Sequence, residues 1–74
     1  MAGNIEYIEA FVESNGDSIE VMVDRKSKRI ILEVGEYVDF YDGEYVTVEF
    51  TPQTIEALAQ CLLKLSKELQ EDTK

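Results

Sequence analysis

The chain has 74 residues and a formal net charge of −9, from sixteen acidic and seven basic residues, and it has no histidine. A chain of this length has room for one small domain, so we expect a single domain over residues 1–74. The absence of histidine excludes histidine-based acid–base catalysis and imidazole metal ligands. The single cysteine excludes an internal disulfide.

No apolar run approaches the roughly 20 residues that a membrane span requires, and the start of the chain lacks the basic residues of a secretory signal. We therefore expect a cytoplasmic protein, or a nucleoid-associated one if it binds nucleic acid. The four glycines are scattered and form no phosphate-binding loop. The carboxylates of the predicted strands alternate with apolar residues, as solvated faces do. We expect no enzyme, no cofactor and no metal site.

The first two strands are predicted at about 5–13 and 18–25. Asn15-Gly16 between them is a strong hairpin signal, because both residues tolerate the positive φ of a tight turn. With these two residues as the loop, each apolar residue of one strand faces an apolar residue of the other. The predicted pairs are Val12 with Ile19, Ala10 with Val21, and Ile8 with Val23.

The next turn is predicted at Lys26-Ser27, before a third strand over 28–41 that bends at Gly35. This register pairs Val23 with Ile30, Val21 with Leu32, and Ile19 with Val34. The same face of the second strand is apolar in both registers, and a slip of one residue would destroy this match. A three-residue loop at 41–43 then leads into a fourth strand over 44–50.

A helix is predicted over about 52–69, with the Thr51 hydroxyl as N-cap and Pro52 at the first helical position. Its apolar residues recur every three or four positions and form one stripe. The tail 70–74 is charged and predicted to fray. The fold class is thus α+β: a curved antiparallel meander of four to five strands, with one C-terminal helix packed on one face.

Four of the seven basic residues lie within five positions, at the second turn. They are Arg25, Lys26, Lys28 and Arg29. A local cluster of cations at an exposed turn is suited to contact phosphates. The alternative is that the cluster pairs with the chain's own acids, for example Asp24 with Arg29 across the strands.

The second face of the sheet is predicted to carry apolar side chains among carboxylates, because one helix covers only one face. We expect these side chains to form a homodimer interface or to contact another protein, and the alternative is an ordinary solvated face. The candidate interface residues are Ile5, Tyr7, Phe11, Met22, Ile31 and, on the polar side of the helix, Leu63.

The basic turn 27–29 leads into the apolar strand 30–34, which is followed by the glycine-glutamate-tyrosine of 35–37. Residues 48–58 then run through Thr51-Pro52 into the helix. Over 21–58, this order resembles the single-strand-binding domain of the transcriptional coactivator family called positive cofactor four. The resemblance implies four strands and a helix, binding of single-stranded DNA, and a role in transcription regulation.

The sequence departs from the family's pattern at the positions that favour nucleic acid. Gly35 stands where the family has arginine, and Lys26 and Val38 stand where it has aromatic residues. The acidic segment 42–44 replaces a basic, glycine-rich one. Stacking on aromatic side chains contributes about 1–3 kcal/mol per base, so these departures reduce the expected affinity.

Two functions are consistent with these features. The first is a small non-enzymatic protein that binds nucleic acid, in particular single-stranded DNA, through the basic turn, with Tyr37 or Tyr41 stacking on bases. The second is an acidic inhibitor or adaptor of the phage or mobile-element type. Such a protein would mimic nucleic acid and occupy a basic groove on a nucleic-acid-handling protein. The basic turn favours the first function, and the pI near 4.2 favours the second.

Overall fold

The computed structural model describes residues 4–36 and 44–72. These residues form an open, four-stranded antiparallel sheet in the order β1-β2-β3-β4, followed by one helix. The elements are β1 Ile5–Val12, β2 Asp17–Asp24, β3 Arg29–Glu36, β4 Tyr45–Phe50 and α1 Pro52–Asp72. The predicted α+β meander with one C-terminal helix is confirmed.

The predicted register between β2 and β3 is confirmed: Val23 pairs with Ile30, Val21 with Leu32, and Ile19 with Val34. The last pair before the turn is Asp24 with Arg29, so the connection is four residues long, and not two as predicted. Shortening each strand by one residue lengthens the loop by two and leaves the register unchanged.

The predicted register between β1 and β2 is wrong by one residue. Phe11 pairs with Ile19, and Val12 pairs with Ser18. The reason is a three-residue loop, 14–16, in which the N–H of Glu13 donates to the carbonyl of Asp17 at 2.8 Å. Gly16 takes the left-handed conformation, with φ of 100°, that such a loop requires. A bulge between Tyr7 and Glu9 shifts the register once more.

This register changes which β1 residues share a face with the helix. Phe11 now lies beside Ile19, and the two residues line an apolar groove between the sheet and α1, as does Ile8 from the bulge. We call this the helix-side face. Ala10 and Val12 were predicted there, but they lie on the opposite face, beside Glu20 and Ser18.

The β3–β4 pairing runs from Ile30 with Phe50 to Gly35 with Tyr45, and it passes through Gly35 without a bulge. A Cβ on Gly35 would meet the backbone carbonyl oxygen of Glu44 and would lie 2.5 Å from Cδ1 of Tyr45, so the close approach of the chain at 44–45 explains the glycine. The predicted extension of the third strand to 41 and the loop at 41–43 lie outside the described residues.

Helix α1 begins as predicted. The N–H of Thr54 donates to Oγ1 of Thr51 at 3.4 Å, and the N–H of Ile55 donates to the Thr51 carbonyl at 3.1 Å. The helix continues to Asp72, three residues beyond the predicted end, so most of the tail predicted to fray is helical.

The helix covers only part of its face of the sheet. The cross-strand rows nearest its N-terminus, such as Val21 with Leu32 and Val23 with Ile30, are half-buried. On the opposite face Ile31 is 5% exposed, which makes it the one buried apolar side chain among the described residues. The prediction had placed Ile31 on an open surface, but it lies on the inner strand β3, flanked by β2 and β4.

Candidate functional site

The basic turn consists of the four-residue connection Arg25–Lys28 and of Arg29, the first residue of β3. Asp24 fixes its shape, because one of its carboxylate oxygens accepts hydrogen bonds from the N–H groups of Lys26 at 3.0 Å and Ser27 at 3.2 Å. All residues from Arg25 to Arg29 are exposed. The turn therefore presents its side chains to solvent from an ordered backbone.

Lys28 has a φ of 59°, in the left-handed region that favours glycine. For a residue with a Cβ this conformation costs roughly 1 kcal/mol. No other described residue apart from glycine has a positive φ. A lysine thus occupies a position where glycine would fit with less strain, and strained residues of this kind cluster at functional sites.

The cations of the turn are mostly unpaired. Nε of Arg25 lies 2.9 Å from Oε1 of Glu6, and this hydrogen bond, with the attraction between the charges, raises the pKa of Arg25. Asp24 and Arg29 are register partners, but the ion pair predicted between them does not form in the described part of the chain. Lys26, Lys28 and Arg29 are therefore free to contact a ligand.

The N-terminus of α1 lies at the same end of the sheet. Phe50 pairs with Ile30, so Thr51 and the first turn of the helix follow directly beside the start of β3. That first turn contains no acidic residue, so no carboxylate within it offsets the positive end of the helix dipole. We call the turn and the helix start together the basic end. The sequence analysis predicted where the helix starts but not that this start lies beside the basic turn, although a β3–β4 register would have indicated it.

The face opposite the helix carries a carboxylate pair. Glu20 and Glu33 lie directly across β2 and β3, and Oγ1 of Thr47 donates to Glu33 at 3.3 Å. Burial raises the pKa of Glu20, and so do its hydrogen bond with Glu33 and repulsion from it. Glu49 is on the same face, as the partner of Ile31. We call this face the carboxylate face.

The predicted interface residues are divided between three surfaces. Ile5, Tyr7 and Met22 lie on the carboxylate face, where the first two are exposed and the third is half-buried. Phe11 lies on the helix-side face, Ile31 is buried, and Leu63 is exposed on α1. These side chains do not form one continuous patch. Tyr37 and Tyr41, the candidate stacking residues, lie outside the described residues.

Residues 4–36 and 44–72 contain no group of three or more side chains arranged to hold a metal ion. In the same part of the chain, no helix combines the length and the apolar character needed to cross a membrane. No family model, curated protein or solved structure matches the chain. The likeness to the positive cofactor four family therefore stays a prediction.

Proposed function

We propose that the chain is a small non-enzymatic protein that binds single-stranded nucleic acid, in particular DNA, through its basic end. The observation that carries the proposal is the exposed tip of the β2–β3 turn. There Lys26, Lys28 and Arg29 have no acidic partner among the described residues. Phosphates would contact these three side chains, and a protein with this function would act in the cytoplasm, at the nucleoid.

Glu6 pairs with Arg25 and Asp24 accepts backbone hydrogen bonds within the turn, but other acids lie far from it, so the net charge of −9 does not prevent this contact. Glu13, Asp17, Glu36 and Glu44 are at the opposite end of the strands from the basic turn. A strand of eight residues is about 26 Å long, roughly three Debye lengths at physiological salt. Repulsion from those acids is therefore screened at the basic end, although it slows the approach of a polyanion.

A single strand suits this site better than a duplex. A flexible strand can bend around a narrow tip and stay clear of the carboxylate face, which a rigid duplex cannot do. Three free cations give an expected slope of about −2 in log affinity against log salt, at about 0.7 per phosphate. Stacking on Tyr37 or Tyr41 would add sequence-tolerant affinity.

Reversing the charge of the turn should abolish binding without unfolding the chain. We expect Lys26→Glu with Lys28→Glu to weaken binding of a fluorescent oligothymidine about 100-fold or more at low salt. The matched control is Lys64→Glu with Lys67→Glu on exposed positions of α1, which changes the net charge equally. Equal losses in both variants would mean that only net charge matters, and unchanged binding in the turn variant would exclude the basic end.

Lys28→Gly separates binding from folding. It removes one cation and also relieves the left-handed backbone strain at this position. We expect this variant to bind more weakly and to unfold at a temperature no lower than the original chain does.

A second candidate function is supported by the carboxylate face. Glu20, Glu33 and Glu49 lie there beside the exposed Ile5 and Tyr7. An acidic surface with apolar members fits the basic groove of a nucleic-acid-handling protein, as an inhibitor or adaptor would. The same titration decides between the two, because a nucleic-acid mimic would not bind the oligonucleotide at any salt concentration.

A further inference from the structure

The helix-side face carries a complete row of exposed apolar residues across all four strands. Phe11 pairs with Ile19, Ile19 with Val34, and Val34 with Val46. All four are between 41% and 66% exposed. The helix covers the rows nearer its own start, so this last row lies open beside the groove between the sheet and α1.

The distal half of α1 is equally open. Leu62, Leu65 and Leu69 are between 48% and 65% exposed. With Ile55 and Leu58 they repeat at alternating intervals of three and four residues. This is the narrow a/d seam with which one helix packs against another helix. We call the exposed row and this seam together the open apolar surface.

We propose that a second copy of this chain covers the open apolar surface, with the two α1 seams packed against each other across a two-fold axis. This inference goes beyond the proposed function, because it involves none of the basic residues. It also places the dimer contact on the opposite side of the sheet from most of the residues that the sequence indicated.

The exposed area fits such a partner. The chain exposes 6303 Å², whereas a folded monomer of 8.5 kDa is expected to expose about 4,650 Å². The excess of about 1,650 Å² is spread over the whole chain, and burying about half of it would match the ~800 Å² per partner of a standard interface. The radius of gyration of 14.5 Å, against about 11 Å expected, indicates the same open shape.

The distribution of charge on this face permits contact with an identical chain. Two chains of net charge −9 can associate only through surfaces that carry few charges. On this face the rows from Val23–Ile30 to Ile19–Val34–Val46 are apolar on β2, β3 and β4. The charged residues of the face lie at its margins, with Asp17 and Glu36 beyond the exposed row and Glu6 and Glu9 on the edge strand β1. The seam is flanked by Ala59, Cys61 and Ser66, with Glu68 as the one charged neighbour.

Two adjacent leucines provide a matched test. Leu62 lies on the seam and Leu63 lies off it, and they are 55% and 57% exposed. Sedimentation equilibrium at micromolar concentrations should give twice 8.5 kDa for the original chain. We expect Leu62→Glu to raise the dimer dissociation constant about 100-fold or more, and Leu63→Glu to change it less than about 3-fold.

A second pair keeps the test valid if Leu62→Glu does not fold. Phe11→Ser should weaken the dimer, while Tyr7→Ser, on the other face of β1 and similarly exposed, should not. A mass of 8.5 kDa at every concentration would overturn the proposal. So would a dimer that Tyr7→Ser or Leu63→Glu dissociates more than Phe11→Ser or Leu62→Glu.

The salt dependence distinguishes dimer formation from the proposed binding of nucleic acid. Raising the salt from about 50 to 500 mM should maintain or strengthen an apolar dimer of like-charged chains, whereas it should weaken oligonucleotide binding. Lys26→Glu with Lys28→Glu should leave the dimer intact. A dimer that dissociates as salt rises would contradict the apolar interface without bearing on the basic end.

Discussion

Ile31→Asp should leave the chain unfolded at room temperature. Ile31 is 5% exposed and pairs with Met22 and Glu49 on the inner strand β3. The new carboxylate would have no cationic partner there and would lie on the same face as Glu20 and Glu33. Burying it costs several kcal/mol, which is comparable with the ~4–11 kcal/mol total stability of a chain this short.

Circular dichroism and a thermal melt measure this effect. The control is Ile5→Asp, which is the same substitution on the same face but at an exposed position of the edge strand β1. We expect that control to melt within a few degrees of the original chain. A folded Ile31→Asp variant with a similar melting temperature would show that this side chain is not enclosed.

Gly35→Ala should lower the melting temperature by about 10–20 °C, which corresponds to about 2–3 kcal/mol. The added Cβ would lie 2.5 Å from Cδ1 of Tyr45 and against the carbonyl oxygen of Glu44. The backbone cannot move away easily, because Gly35 pairs with Tyr45 and its carbonyl accepts a hydrogen bond from Oγ of Ser18 at 3.4 Å.

A double-mutant cycle with Tyr45→Ala tests the cause. If the ring is part of the obstacle, Gly35→Ala should cost less stability in the Tyr45→Ala background than in the original chain. If the losses of stability from the two substitutions simply add, the ring does not contribute, and the clash is with the Glu44 carbonyl alone. Full stability of Gly35→Ala alone would mean that the two strands are further apart than described.

The sequence predicted the inner hairpin better than the outer one. The β2–β3 register follows from three consecutive apolar pairs that a slip would destroy, and the structure has those pairs. In β1, by contrast, both Phe11 and Val12 are apolar, so either residue can face the helix. The choice then depends on whether the turn has two or three residues, and Asn15-Gly16 is compatible with both lengths.

The path of the helix across the sheet could not be predicted from the sequence. The stripe of α1 predicts which side of the helix is apolar, but not how far that side follows the sheet. That depends on the angle at which the helix crosses the strands. For this reason the open row from Phe11 to Val46 was not predicted. The basic turn was predicted, because its residues are contiguous in the chain.

A titration followed by amide chemical shifts tests the phosphate contact at the basic end most directly. Oligothymidine added at low salt to the ¹⁵N-labelled chain should shift the amide resonances of residues 24–29 and 51–54. Those of residues 13–20 should stay unchanged, and the shifts should reverse as salt is added. Shifts confined to the carboxylate face, or no shifts at millimolar DNA, would contradict binding through the basic end.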